Sequence, residues 1–219
     1  MQIVLATHNP YKVEELSRIL APRLPGVEVL AYDGPEPVEN GATFAENALI
    51  KARAAAAHTG LPAIADDSGI CVDVLGGAPG IFSARWAGPA KDAGENLRLL
   101  LWQLSDMPDE HRGAHFTCVA ALALPDETEW HVTGEWSGQL LHEPAGDGGF
   151  GYDPIFLPDG YAISAAELTA NVKNEQSHRA RAFEQLVPVI EVLEGACPVA
   201  LLVLHVGRQL GRGNRVAVR

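Results

Sequence analysis

The sequence predicts an α/β protein whose ligand site lies at the edge of a central sheet. Three observations carry this. Residues 2–6 are a compact apolar run, followed by a helix with Val13, Leu16, Ile19 and Leu20 at helical spacing. A capping box, Thr43-Phe44-Ala45-Glu46, opens a second long helix. A short apolar strand, residues 63–65, then ends in Asp66-Asp67-Ser68-Gly69, and open α/β sheets place ligands at the carboxyl ends of their strands. Adjacent carboxylates repel, so this octet suits a site where one turns to solvent or a divalent cation sits between them. Mg²⁺ takes one or two carboxylates plus waters and phosphates. The plain alternative is a polar turn joining two strands.

Composition bounds the rest. The chain has 219 residues, 47% of them apolar, enough for one large domain with a sizeable core. Its formal net charge is -12. Nucleic-acid binding relies on Lys and Arg neutralising phosphates, so no nucleic-acid partner is expected. Cys71, Cys118 and Cys197 are odd in number and far apart, with no CxxC pair. That argues for a reducing compartment and against a disulfide scaffold or a zinc site. There is no signal-peptide pattern and no apolar run near the ~20 residues of a membrane helix. A cytoplasmic protein without membrane partners is expected.

The elements follow in order. Asn9 can cap the first helix and Pro10 fits its first turn. Residues 7–12 therefore form a strand–loop–helix junction, where backbone N–H groups favour anions. The glycines of a P-loop are missing. Residues 22–42 are rich in Pro, Gly and acid, with a short strand predicted at 27–31. The second helix runs to about His58, with Asn47 and Lys51 on a face apart from its apolar stripe, and Gly60 and Pro62 close it. Residues 70–75 read as a strand, 76–86 as a shaped Gly/Pro loop, and 92–104 as an amphipathic helix. Residues 115–124 make a central strand, and Trp130, Val132, Gly134 and Trp136 alternate as in a half-exposed antiparallel strand. Residues 143–156 alternate four glycines with Phe150 and Tyr152, two rings able to grip a flat heterocycle. Ser164 and Glu167 form a capping box on a predicted short helix. Ser177 caps the last helix and puts His178 and Arg179 in its first turn, where the helix dipole slightly disfavours cations. After Cys197 the character changes, and residues 207–219 carry four arginines and no acid.

Six motifs then occur in one order: Thr7-x-Asn9-x-x-Lys12, Glu39 before Thr43-Phe44-x-Glu46-Asn47-Ala48-x-x-Lys51-Ala52, Ala65 to Gly69, Gly76-Gly77-Ala78-Pro79-Gly80, Gly149-Phe150-Gly151-Tyr152-Asp153-Pro154 and Ser177-His178-Arg179. Together they resemble the inosine/xanthosine triphosphate pyrophosphatases, over about residues 1–195. His8 stands where a small residue is common in that family. The resemblance implies an elongated mixed β-sheet with flanking helices and two lobes around a central substrate cleft. It implies a single domain at 1–197 with an extension at 198–219, a homodimer, and Mg²⁺-dependent hydrolysis of dITP, ITP or XTP to the monophosphate and pyrophosphate.

The resemblance also assigns residues. Thr7, His8, Asn9, Pro10, Tyr11, Lys12 and Lys51 would hold the triphosphate. Asp67 and Glu39 would hold Mg²⁺, with Asp66 in an outer shell, and Asp67 is the family's proton acceptor. Ser68, Phe150, Gly151, Tyr152, Asp153, Lys173, His178 and Arg179 would bind substrate. Of these, Phe150 and Tyr152 would stack on the base, and Lys173, His178 and Arg179 would meet its edge. Arg donates and cannot accept, which suits a 6-oxo purine and not adenine. Two alternatives stand beside this: a related septum-inhibitor-type nucleotide pyrophosphatase, and a nucleotide-binding sensor without turnover.

Overall fold

The computed structural model describes residues 1–195. One six-stranded mixed sheet organises them, in the order β2-β1-β3-β4-β5-β6. β1 (Gln2–Leu5) pairs in parallel with β2 (Glu28–Ala31) and with the start of β3 (Ala63–Val72). Parallel neighbours need a crossover, and α1 (Pro10–Leu20) and α2 (Phe44–Thr59) supply them. The rest is an antiparallel meander of β3, β4 (Gly113–Ala123), β5 (Glu129–Leu140) and β6 (Phe156–Pro158). α3 (Ala93–Gln103) lies between β3 and β4 in the chain, and α4 (Ala170–Gln176) and α5 (His178–Glu194) follow β6.

Strand alternation builds two core layers over one end of the sheet. Ile3, Leu5, Ile64, Ala120 and Leu122 pack against Leu16, Ile19 and Leu20 of α1 and Phe183, Leu186 and Ile190 of α5. Val4, Ala63, Ala65, Val119 and Ala121 pack on the opposite face against Ala48, Ala52, Ala55 and Ala56 of α2. Alanine on both partners lets α2 lie close to the sheet. The far end of the same long strands carries a third core. Ile70, Val72, Phe116, Trp136 and Leu140 meet Leu97, Leu100 and Leu104, with Leu104 just after α3. Two lobes thus share the central strands, and the polar middle of β3 lies between their cores.

The structure departs from the sequence-based expectations at four places. Asp66-Asp67-Ser68-Gly69 neither ends a strand nor makes a turn. β3 runs through it for 10 residues, paired with β4 from Asp66↔Ala120 to Gly69↔Thr117. The ladder satisfies the backbone, so a polar run can stay extended. Gly69 serves close approach: a Cβ there would lie 2.3 Å from the Gly80 carbonyl and 2.4 Å from Ser83 Oγ. Second, β3 ends at Val72, and 3-10 turns form at Asp73–Leu75 and Gly80–Arg85. Third, the Ser164 box forms only half. Glu167 Oε2 accepts from the Ser164 N–H at 2.8 Å, but the Ser164 hydroxyl donates to Ala145 O and the Ala165 N–H to Phe156 O. The segment stays a turn, and the helix starts at Ala170 under a Thr169 cap. Fourth, Asn47 is buried, at 1% exposure. Cys197 and the expected extension at 198–219 lie outside the described residues. No described helix is long and apolar enough to cross a membrane.

Candidate active site

The two aspartates are separated by the pleat. Successive side chains of a strand point to opposite faces, so Asp66 shares the face of Ile64 and Asp67 that of Ala65. Each meets its own cations. Lys12 Nζ lies 3.0 and 2.9 Å from the two Asp66 oxygens, Ser68 Oγ donates to Asp66 Oδ2 at 2.7 Å, and Arg179 Nε approaches the same oxygen at 3.4 Å. Burial by itself would raise the Asp66 carboxyl, but Lys12, Arg179 and Lys51 hold it well below the usual carboxylate range. On the other face Asp67 accepts from Asn47 Nδ2 at 3.2 Å and faces Lys51 Nζ at 3.4 Å. Its carboxyl is pushed up, mainly by burial, against the pull of Lys51 and Lys12 and with help from Glu39 and Asp66.

The two carboxylates therefore do not face one another across a shared space. Asp66 is 2% exposed, is fully engaged with cations, and does not line the cleft. Asp67 and Glu39 do line it, and each lies 3.4 Å from Lys51 Nζ. Burial opposes the charge of Lys51, yet Asp67, Asp66 and Glu39 raise its affinity for the proton. Among the described residues no three His, Cys, Asp or Glu side chains converge as a metal cage. Two carboxylates beside an open cleft suit Mg²⁺, which keeps waters and takes phosphate oxygens.

The cleft between the lobes has a volume of about 730 Å³. Thr7, His8, Asn9 and Lys12 line one end of the predicted set. Asn9 caps α1: its Oδ1 accepts from the Lys12 N–H at 3.4 Å, and its own N–H donates to Thr7 Oγ1 at 3.2 Å. His8 stacks on Tyr32 with centroids 5.6 Å apart and lies 3.3 Å from Glu36. Pro10 begins α1 and does not line the cleft. The Tyr11 side chain lies outside the described part.

Ser68, Phe150, Gly151, Asp153, His178 and Arg179 also line the cleft. Asp153 Oδ2 accepts from the Phe150 N–H and from Lys173 Nζ, both at 2.7 Å, so its carboxylate shapes the aromatic loop. Lys173 does not itself line the cleft; its Nζ lies 5.6 Å from the Phe150 ring centre. Arg179 Cζ lies 5.1 Å from that centre. Tyr152 departs from the expected pair of exposed rings. It is 6% exposed, packs in the third core, and donates its hydroxyl to Ser83 O at 2.9 Å. Tyr152 also lines the cleft, but Gly151 between the rings takes a φ of +64°, which breaks the extended run in which a two-residue spacing would put both rings on one face. His178 stacks on Phe116 at 4.8 Å, and its Nδ1 is buried with no hydrogen-bond partner. Burial and the neighbouring Arg179 keep this imidazole neutral, well below the usual histidine range.

The pattern of the Ham1 family matches residues 3–189. The chain belongs to the Ham1 family. It is 58% identical over 193 residues to the dITP/XTP pyrophosphatase of Leifsonia xyli subsp. xyli, spanning 88% of this chain and 97% of that protein. It is 58% identical over 198 residues to the dITP/XTP pyrophosphatase of Streptomyces coelicolor, spanning 89% and 99%. Among solved structures, a HAM1 protein from Coxiella burnetii superimposes with a TM-score of 0.80 at 41% identity, over 87% of this chain and 98% of that one. The nucleoside-triphosphatase / dITP/XTP pyrophosphatase from Mycobacterium abscessus gives 0.70 at 49%, over 86% and 100%.

Some residues of this Ham1 site escape sequence reading. Glu15 binds Arg179 Nη1 at 2.9 Å from 164 positions away. Its only local signal is an acid four residues from the apolar Ile19 on α1. Asn47 and Ser83 carry no signal of their burial. Lys91, which also lines the cleft, lies in a loop with no regular period, while Arg85 lines it from the end of the 3-10 turn at Gly80–Arg85 as the cation of the Gly/Pro loop.

Proposed function

We propose that this Ham1 protein hydrolyses the non-standard purine nucleotides dITP, ITP and XTP to the monophosphate and pyrophosphate, with Mg²⁺. The observation that carries the proposal is one cleft that joins three chemistries. The capped N-terminus of α1 suits phosphates. Asp67, with Lys51 and Glu39, stands beside it. Phe150, His178 and Arg179 suit a flat base. The names of the relatives point the same way.

In this reading Asp67 and Glu39 would hold the metal. A bound Mg²⁺ would neutralise charge on the phosphate oxygens and lower the barrier to attack by water. The residues do the rest by positioning, because phosphoryl transfer asks little covalent chemistry of a protein. Burial raises the Asp67 carboxyl in the metal-free chain, but a carboxylate holding Mg²⁺ is a weaker base, so the roles of metal ligand and proton acceptor compete at this residue. Backbone N–H groups of α1 and the ammonium of Lys51 would face the triphosphate. Lys12 would act from its place on Asp66.

At the base end Phe150 would stack. Arg179 spends three of its five N–H groups on Asp66, Glu15 and Ser68. The other two would donate to a 6-oxo group. Neutral His178, which lines the cleft, would meet the base edge. Such a site disfavours a 6-amino purine, because its buried donors would go unpaired. A homodimer is proposed from the family resemblance, and a cytoplasmic location from the odd, widely spaced cysteines.

The test is pyrophosphate release from ITP, XTP, dITP, ATP and GTP, with Mg²⁺ and with chelator. Fast, metal-dependent release from the first three and little from the last two is expected. Binding without release would favour a sensor, and turnover confined to pyrimidine nucleotides would favour the septum-inhibitor type.

A further inference from the structure

We infer that Asn47 is the positioning residue that joins the two halves of the candidate metal site. The inference rests on the pyrophosphatase reading above. Asn47 lies in the first turns of α2 at 1% exposure, so its amide is cut off from water. Both ends of that amide are used. Oδ1 accepts from the Gly41 N–H at 2.9 Å, and Nδ2 donates to Asp67 Oδ2 at 3.2 Å.

The orientation of the amide is forced. A backbone N–H can only donate, so the oxygen must face Gly41 and the NH₂ must face Asp67. Asp67 Oδ2 is therefore an acceptor, and its other oxygen turns to Lys51. Gly41 is two residues from Glu39, in the irregular segment before α2. One side chain thus holds the Asp67 carboxylate and the loop that carries Glu39. The Gly41 side tolerates no larger residue: a Cβ there would lie 2.7 Å from Asn47 Oδ1.

A purely structural role accounts for half of this. Holding the Gly41 N–H needs only an acceptor, which aspartate would provide equally well. The donor half is what aspartate cannot supply, and it points at the carboxylate assigned to the chemistry. Partners of this kind commonly change metal affinity or activity by ~10–100-fold when removed.

The test compares Asn47→Ala and Asn47→Asp with the parent enzyme. In Asn47→Ala, kcat on ITP is expected to fall ~10–100-fold while KM stays within about threefold. A second readout needs no turnover: calorimetric binding of an ITP analogue with a methylene bridge between the α and β phosphorus atoms. Its metal-free affinity should match the parent's, while the tightening on adding Mg²⁺ should shrink at least about fivefold. Asn47→Asp keeps the volume and the acceptor for the Gly41 N–H, so the loop before α2 keeps its anchor. It puts a like charge against Asp67 and should show the same loss of kcat. A role in folding alone would lower thermal stability and leave kcat and the Mg²⁺ effect in place. Either folded variant with kcat within twofold of the parent would overturn the inference. If Mg²⁺ fails to tighten binding to the parent, the metal reading falls, and kcat alone decides Asn47.

Discussion

Asp66 and Asp67 have opposite electrostatics one residue apart. Asp66 is held ionised by Lys12, Arg179 and Lys51 despite its burial. Asp67 is raised, chiefly by burial. A raised carboxyl binds its proton more tightly in the folded than in the unfolded state. Its stabilising contribution is full below the unfolded value of ~3.9 and is lost as pH rises through the folded value. At neutral pH ionised Asp67 weighs against the fold. Asp67→Asn is therefore expected to lower kcat ~10²–10⁴-fold and, in metal-free buffer at pH 7, to raise the melting midpoint. The gain should fade as pH falls below ~3.9, where the wild-type carboxyl is protonated in both states. Thermal melts of both proteins across that range check the sign; a midpoint that falls at pH 7 would mean that the Lys51 contact outweighs burial.

Among the elements, β3 carries the most. It lends apolar residues to both lobes and polar ones to the cleft between them, and pairing with β4 makes that mixture possible. The second lobe depends on a different device. Arg112, just before β4, is 1% exposed and donates to Leu104 O near the end of α3 and to Leu140 O and Leu141 O near the end of β5. No carboxylate shares in these bonds. Arg112→Leu would take a donor from three carbonyls; Leu104 O keeps the Met107 N–H at 3.0 Å, and the other two would cost ~1–3 kcal/mol each. A loss of at least about 2 kcal/mol in denaturant unfolding is expected, with Arg112→Lys recovering less than half because one ammonium nitrogen cannot span acceptors that three guanidinium nitrogens reach. Near-wild-type stability of Arg112→Leu would mean that water reaches those carbonyls. The sequence marks Arg112 only as part of a polar loop, since its partners arrive from two other elements.

At the scale of the whole molecule, a chain with net charge -12 must bind a polyanion. It does so by gathering cations: Lys12, Lys51, Arg85, Lys91 and Arg179 line a single cleft. All of them lie upstream of residue 195. Deleting residues 198–219 is therefore expected to leave kcat/KM on ITP within about twofold of the full chain. A larger loss in a folded protein, measured in the same release assay, would give the basic extension a part in catalysis.

The sequence by itself determined the α/β class, most of the helices with their caps, and the six motifs, five of which line the cleft. These are local properties: periodicity, capping chemistry and spacing are written within a few residues. Only the tertiary structure decided that Asp66 and Asp67 part to opposite faces, that Tyr152 turns inward while Phe150 does not, and that Asn47 and Glu15 belong to the site. Each of those outcomes depends on a partner far along the chain, whether the β4 ladder, Ser83, the Gly41 loop or Arg179. Periodicity says which face a side chain takes once the strand or helix is fixed, but what waits on that face is settled when distant elements pack.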